Sequence, residues 1–365
     1  MNVRFAVVSD LHIALPETIL NHAHRFHLVE VSIPAFEVVL KHLETLDLDF
    51  LLLPGDLTQD GEPENHLWLQ QRLASLPFPA YVIPGNHDVP SLTATDRVIA
   101  FEDFPAYYRP FGYAQARQMY YTCEVYPGVQ LIALNSNQFD GRGKQLGCLD
   151  EEQIIWLEKI LPQLEDKLVL VMVHHNVIEH LPGQAQHSLG KRYMLDNAPL
   201  LFDILRQFGV KLIFTGHLHI QDITQQQGIY EITTGSLVSY PHPYRLLELT
   251  TNAHGETELK IESHRVNKLY GWENLPQQSK KWLGDRSFPF MMKLLTEPPL
   301  NLDISEAEKF APYLRDFWAN IAAGDALLDF PHFPLELNRH FQQFGAINTD
   351  GTPNLIDNHT TIDLL

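Results

Sequence analysis

Five polar clusters follow one another along the chain: Asp10-Leu11-His12, Gly55-Asp56, Gly85-Asn86-His87-Asp88, His174-His175 and Gly216-His217-Leu218-His219. Each stands directly behind a short apolar run. Carboxylate, imidazole and amide oxygen form a donor set of intermediate hardness, suited to zinc, manganese or iron, whereas an all-oxygen set suits magnesium or calcium. No thiolate belongs to the set. Together the clusters read as a dinuclear metal site, and the glycines at 55, 85 and 216 let the backbone turn sharply beside the donors, where a Cβ would obstruct it.

Such a site needs a scaffold that brings distant residues to one place. The runs at 5–8, 50–53, 81–83, 168–173 and 212–214 are short, aliphatic or β-branched, of buried-strand type. The polar clusters therefore sit at strand exits, which can converge on a single sheet edge where loops carry chemistry. Segments 28–46, 66–76, 149–161 and 199–208 have apolar spacing suited to helices packing one face on a sheet. Runs at 120–126 and 129–135 flank Pro127-Gly128, a hairpin turn, so part of the sheet system must be antiparallel. The class is α/β, with no internal repeat. Near Val266 strand-type runs become scarce, and Pro298-Pro299 separates helical pieces. Ser305 with Glu308 fits a capping box, Phe310, Leu314, Phe317 and Ile321 share one helical face, and Gly324 can end that helix. This apolar face has three uses open to it: covering the mouth of the site, packing on the sheets, or burying against another subunit.

Taken singly, each cluster has an ordinary structural explanation: a strand-end turn, a helix entry, or a pair of partly buried rings. The ordered occurrence of all five at strand exits does not. The chain resembles the calcineurin-like metallophosphoesterases, whose pattern is D-x-H, G-D, G-N-H-D, a histidine after a strand, and G-H-x-H. The resemblance covers about residues 3 to 264. It implies a four-layer α/β/β/α sandwich over residues 1–265; residues 266–365 lie outside the resemblance and read from their own spacing as a mainly helical C-terminal extension, serving as cap, packing surface or oligomerisation element. The resemblance also implies two divalent or mixed-valence transition-metal ions (Mn, Fe or Zn). By motif position, Asp10, His12 and His219 hold the first ion, Asn86, His174 and His217 the second, and Asp56 bridges them. Ions roughly 3.5 to 4 Å apart repel and need a shared anion between them. A bridging hydroxide then attacks phosphorus. The resemblance sets His87 beside the substrate, as a charge stabiliser or proton donor; Asp88 is expected to orient His87 by accepting a hydrogen bond, the alternative being a cap on the following segment. The family's prolines after the ligand histidine are replaced by Asn176-Val177, which leaves the role of His175 open.

Other residues carry weaker signals. His22, His24 and His27 could border the pocket or bind another ion, but a solvated loop leading into a helix is the preferred reading and no role is assigned to them; Ser236, Tyr240, His242 and Tyr244 are explained by leaving-group contact or, almost as well, by turn formation and packing. The formal charge of −19 disfavours a surface that tracks a long nucleic acid, yet a metal pair can reverse the local sign for a small phosphate ester. Cys123 and Cys148 lack any paired metal or redox spacing and read as reduced thiols. No apolar run approaches membrane-spanning length and none reads as a secretory segment, so a cytoplasmic location and no membrane partner are expected. A homodimer is compatible with the sequence. The expected activity is hydrolysis of a small phosphodiester. A 3′,5′-cyclic nucleotide is the preferred substrate class, because the Gly-Asp-Leu-Thr-Gln-Asp-Gly and Gly-Asn-His-Asp blocks are similar to those of class III cyclic-nucleotide phosphodiesterases. The alternatives are a phosphomonoesterase or nucleotide pyrophosphatase with the same centre, and a noncatalytic protein-binding scaffold. A protein phosphatase is disfavoured by the lack of an Arg near Gly55-Asp56, and a nuclease by charge.

Overall fold

The computed structural model describes every residue except 21–24, 116–117, 349 and 365. Two six-stranded sheets dominate it. In the first, β1 (Asn2–Val7), β2 (Phe50–Leu53) and β3 (Ala80–Val82) run parallel. The second contains β4 (Tyr121–Tyr126), β5 (Val129–Ala133), β8 (Leu168–Met172), β9 (Leu212–Thr215), β10 (Asp222–Gln226) and β11 (Ile229–Thr233). A small ribbon of β6 (Asn137–Phe139) and β7 (Gln145–Gly147) stands between β5 and β8 in the chain. The chain then returns to the first sheet as β12 (Pro243–Thr251), β13 (Thr257–Arg265) and β14 (His359–Asp363), giving the order β14-β13-β12-β1-β2-β3.

Period-two alternation explains the layering. In β9, Leu212 and Phe214 point into the core between the sheets while Ile213 points to the outer helices; Leu170 and Met172 against Val169 and Val171 repeat this in β8. Phe5 stacks on Phe50 at 4.7 Å and meets Phe214 of the other sheet edge-on at 5.8 Å. Helices α1 (Ser32–Leu43) and α2 (Pro63–Ala74) bury Phe36, Leu40, Leu69 and Leu73 on the first sheet. A one-turn helix, α3 (Phe104–Tyr107), precedes β4. On the second sheet, α4 (Glu151–Ile160) and α5 (Ala198–Gln207) bury Leu157, Leu201 and Leu205. These are the four α/β/β/α layers expected. The β4–β5 hairpin turns at Gly128, whose φ is +84°.

The C-terminal segment forms α6 (Leu275–Arg286), α7 (Phe288–Thr296), α8 (Ile304–Phe310), α9 (Phe317–Ala322) and α10 (Leu335–Gln342). The single helix expected over 305–324 is broken, and this expectation is corrected. Pro312 has no N–H and its ring clashes with a carbonyl one turn earlier, so a tighter turn at Ala311–Leu314 separates α8 from α9. Asp303, not Ser305, occupies the start of α8. The stripe survives the break: Leu314, Phe317 and Ile321 are buried, packed with Leu218 and Ile220 from the loop after β9. Gly324, at φ +70°, does end the segment.

Two buried polar clasps fix the loops that matter. Arg245 of β12 is fully buried and donates to Thr233 O (2.9 Å) in the second sheet, to Ser263 Oγ (3.1 Å) and to Asp357 O ahead of β14. It ties both sheets to the C-terminal strand. Glu231 of β11 is also fully buried, and its carboxylate accepts from the backbone N–H groups of Val177 (2.9 Å) and Ile178 (2.6 Å) and from Asn176 Nδ2 (3.0 Å). That acceptor shapes the loop behind His174.

His180 completes the second clasp, with Nδ1 2.6 Å from Asp222 Oδ2 and Nε2 3.1 Å from Glu231 Oε1. Burial opposes its charge, but the Glu231 and Asp222 carboxylates prevail and raise it to about 9. A histidine raised above its unfolded value stabilises the fold fully below about 6.5 and loses that contribution as pH climbs through about 9. The shift corresponds to on the order of 3 kcal/mol. Urea unfolding at pH 6.5 and 9.5 should therefore show a loss of this order in the wild type and a flatter dependence in His180→Asn. Equal slopes in the two proteins would refute the assignment.

Candidate metal centre

The parallel strands β1, β2 and β3 of one sheet and β8 and β9 of the other end at the same edge, and the five polar clusters meet there. Asp10, His12, Asp56 and His219 bring one donor atom each to within 4.8 Å of one another. So do Asp56, His174 and His217. Asp56 belongs to both groups: Oδ1 lies 3.4 Å from His174 Nε2, and Oδ2 lies 3.8 Å from His12 Nε2. Asn86 joins the second group, its Oδ1 3.3 Å from His174 Nε2. In the first group His219 Nε2 is 3.2 Å from Asp10 Oδ1 and 3.5 Å from His12 Nε2. All seven residues singled out as donors in the sequence thus come together.

The backbone is bent to achieve this. Asp10 (φ +51°), His12 (+44°), Asp56 (+48°), His217 (+65°) and His219 (+60°) all lie in the left-handed region that L-residues avoid. Strain of this kind, on the order of 1–3 kcal/mol per residue, persists where the surroundings over-determine it, typically at functional sites. The glycines are needed for close approach. A Cβ on Gly85 would stand 2.2 Å from Asp56 Oδ1, and one on Gly216 would stand 2.4 Å from Asp10 Oδ2.

The donor chemistry fits cations. His174 Nδ1 is 2.8 Å from Pro54 O and donates to it, which leaves Nε2 with its lone pair facing Asp56 and Asn86. Burial, with the charges of His27 and His87, holds His12 well below the ordinary imidazole range; burial and His175 do the same for His217. Neutral imidazoles are what metal ligation requires. Burial opposes ionisation of Asp56, but His174, His87 and His12 hold its carboxyl well below the usual range. His174 is penalised by burial yet drawn up to about 9 by Asp56, so in the absence of an ion its Nε2 holds a proton that a cation must displace before that lone pair is available.

His87 lies at the edge of this array. Its N–H donates to Asp56 Oδ1 (2.9 Å), and its Nδ1 is 2.6 Å from Gln59 O and 3.8 Å from Asp60 Oδ1. Burial disfavours its charge, but Asp56 and Asp60 raise it to about 10. The expectation that Asp88 orients His87 is corrected. Both Asp88 oxygens are consumed by Leu57 N (3.0 Å), Thr58 N (2.8 Å), Thr58 Oγ1 (2.9 Å) and Gly85 N (2.8 Å), so Asp88 locks the Gly55 and Gly85 loops together and makes no hydrogen bond to the His87 ring. Gln59 and Asp60 do the orienting.

Among the remaining residues, His175 Nδ1 is 2.7 Å from Ser136 Oγ, and burial and His174 push it down to about 3, so it serves as a neutral wall. Ser236 Oγ donates to Asp10 O (2.9 Å). Tyr240 lines the cavity, whereas His242 bonds to Leu237 O and Tyr244 to His42. His22 and His24 lie outside the described residues. His27 does not sit in a solvated loop: its ring stacks on His12 at 4.3 Å. No motif announced it. A cavity of about 690 Å³ opens over the array, bordered by Lys144, Lys191, Arg192, Tyr240, Phe290 and Trp318. The last two belong to the C-terminal segment, which therefore both packs on the sandwich and borders the site. No helix among the described residues is long and apolar enough to cross a membrane.

Known proteins are similar. A 3′,5′-cyclic-nucleotide phosphodiesterase of Nostoc sp. is 27% identical over 237 residues, covering 64% of this chain and 78% of its own. A "Probable glycerophosphodiester phosphodiesterase" of Arcobacter nitrofigilis is 28% identical over 224 residues, covering 60% and 72%. A 3′,5′-cyclic adenosine monophosphate phosphodiesterase of Escherichia coli K12 is 28% identical over 235 residues, covering 60% and 75%. The crystal structure of a dimetal phosphatase from Danio rerio shares the fold, with a TM-score of 0.53 at 14% identity over 72% of this chain and 96% of that one. The sequence profile of the calcineurin-like phosphoesterases matches residues 3–221, and the chain belongs to that family.

Proposed function

We propose that this chain is a metal-dependent phosphodiesterase acting on a small diester, with a 3′,5′-cyclic nucleotide as the preferred substrate class. The observation that carries the reading is the carboxylate of Asp56, which offers one oxygen to each of two donor groups at 3.4 and 3.8 Å. In this reading Asp10, His12 and His219 hold one ion, Asn86, His174 and His217 the other, and Asp56 both. The mixed nitrogen and oxygen set suits manganese, iron or zinc. Bound ions of this kind lower the pKa of water towards about 7 and act as Lewis acids on phosphate oxygens.

The protein's own groups do the rest. His87, with Nδ1 engaged by Gln59 O, keeps Nε2 for the substrate and donates its proton there to the leaving oxygen. The N–H of His87 and the bonds of Asp88 keep the Gly85 loop at a fixed distance from Asp56. In a chain of formal charge −19, the exposed Lys144, Lys191 and Arg192 at the cavity draw an anionic ester towards it. Residues 266–365 act as a cap, through Phe290 and Trp318. The diester preference, and the cyclic nucleotide within it, are supported by the similarity to the phosphodiesterases described above and by the likeness of the Gly55 and Gly85 blocks to those of class III cyclic-nucleotide phosphodiesterases. A cytoplasmic location belongs to the same proposal and agrees with two unpaired cysteines.

Metal analysis with parallel assays of bis(p-nitrophenyl) phosphate, p-nitrophenyl phosphate and cyclic AMP tests this reading. Activity should vanish on chelation, return with manganese, iron or zinc, and favour the diester; preference for the monoester would reject the diesterase. Asp56→Ala should lose both ions. His87→Ala should keep both, yet turn over more slowly by roughly a hundred- to ten-thousandfold. Unchanged turnover in His87→Ala removes its proposed role.

A further inference from the structure

The five motif clusters leave one imidazole at the centre unexplained. His27 stacks on His12 with centroids 4.3 Å apart and planes 21° apart, lies 5.9 Å from the His219 ring, and 6.1 Å from His87. A ring nitrogen of His27 comes within 4.8 Å of ring nitrogens on both His12 and His219, the two imidazoles that also belong to the group of Asp10 and Asp56; the His27 nitrogen itself stands outside that second group and closes on it by a small movement of the ring. Four imidazoles in such proximity repel if protonated and, when neutral, direct lone pairs into a common space. That crowding has a simple resolution if a cation takes the lone pairs.

The position of His27 is built. Leu28 N donates to Val238 O at 2.8 Å, fixing the chain on one side. On the other, the indole Nε1 of Trp282 in α6 donates to Arg25 O at 3.2 Å, and Arg25 pairs with Glu30. The Arg286 guanidinium lies over the Trp282 ring at 3.3 Å, which locks the indole. Gln59, whose carbonyl engages His87, holds the His27 ring itself, with Oε1 3.0 Å from Nε2. The C-terminal segment thus presses a histidine from the loop after β1 against the donors at the ends of β1 and β9.

We propose that His27 is a further nitrogen ligand of the ion held by Asp10, His12 and His219, and that Trp282 positions it. The inference rests on the dinuclear reading above and gives the two ions unequal surroundings. The first has three imidazoles with Asp10 and Asp56, the second two imidazoles with Asn86 and Asp56. Imidazole-rich sites favour zinc or iron over manganese, so the two positions select different ions. The C-terminal segment acquires a second task, since it sets the affinity of the first site without contributing a ligand.

The test uses the full chain loaded with Co²⁺ and with Zn²⁺. Competition with a chromophoric chelator reads the two affinities, and proton NMR of the Co²⁺ form counts hyperfine-shifted imidazole N–H resonances. His27→Gln should weaken one ion by about ten- to a hundredfold, leave the other unchanged, and remove one shifted resonance. Trp282→Phe, which keeps the ring but loses the N–H, should weaken the same ion. His27→Ala follows the same course, with circular dichroism as the folding control; should it not fold, His27→Gln and the wild-type resonance count decide. Two unaltered affinities and an unaltered resonance count in His27→Gln would overturn the proposal while leaving the dinuclear reading intact. A wild type that binds no pair of ions would instead bring down the dinuclear reading.

Discussion

Asp56 stands with one oxygen 3.4 Å from His174 and the other 3.8 Å from His12, and around it buried or half-buried imidazoles and a second carboxylate turn their donor atoms inward. Burying so many Lewis bases together is costly, since each gives up water and gains neighbours of the same polarity. The arrangement becomes favourable when cations occupy the space between them, because the Coulomb attraction and the coordinate bonds then replace both losses. Most other features of the molecule serve to hold this otherwise repulsive array in place.

Rigidity comes from three sources. The sheets supply a fully packed base, in which Phe5, Phe50 and Phe214 lock the strands whose ends carry the donors. Buried carboxylates of a different kind, Asp88 and Glu231, accept backbone N–H groups and hold the loops behind Asn86 and His174 in fixed shapes. Arg245 then closes the assembly, joining both sheets to the segment ahead of the last strand. Five donors held at positive φ are tolerable only on such a base. A looser scaffold would relax them and disperse the site.

Much of this was legible in the sequence because two signals coincided. Apolar runs of strand type ended at the residues with coordinating side chains, so the same positions marked both an element boundary and a donor. Residues whose role depends on contacts distant in the chain gave no such signal. Asp88 looked like a partner for its neighbour His87, but its oxygens face N–H groups thirty residues away in the Gly55 loop. Glu231 sits in an ordinary strand, and nothing local marks it as the organiser of 176–178. His27 lies among other histidines in a polar stretch, and it reaches the centre through contacts remote in the chain: Gln59 on its ring, Val238 on Leu28 and Trp282 on Arg25. The apolar face over 310–321 is legible, but which surface it packs on is not, and Pro312 has more local authority than the periodicity. The strand β14 gives no sequence signal because three of its five residues are exposed at a sheet edge, which hides the alternation.

Anomalous diffraction at the zinc edge, from crystals of the intact chain grown with Zn²⁺, which suits the imidazole-containing donor sets on both sides of Asp56, tests the central claim most directly. Two peaks are expected on either side of the Asp56 carboxylate, about 3.5–4 Å apart. One peak alone, or peaks remote from Asp56, would contradict it.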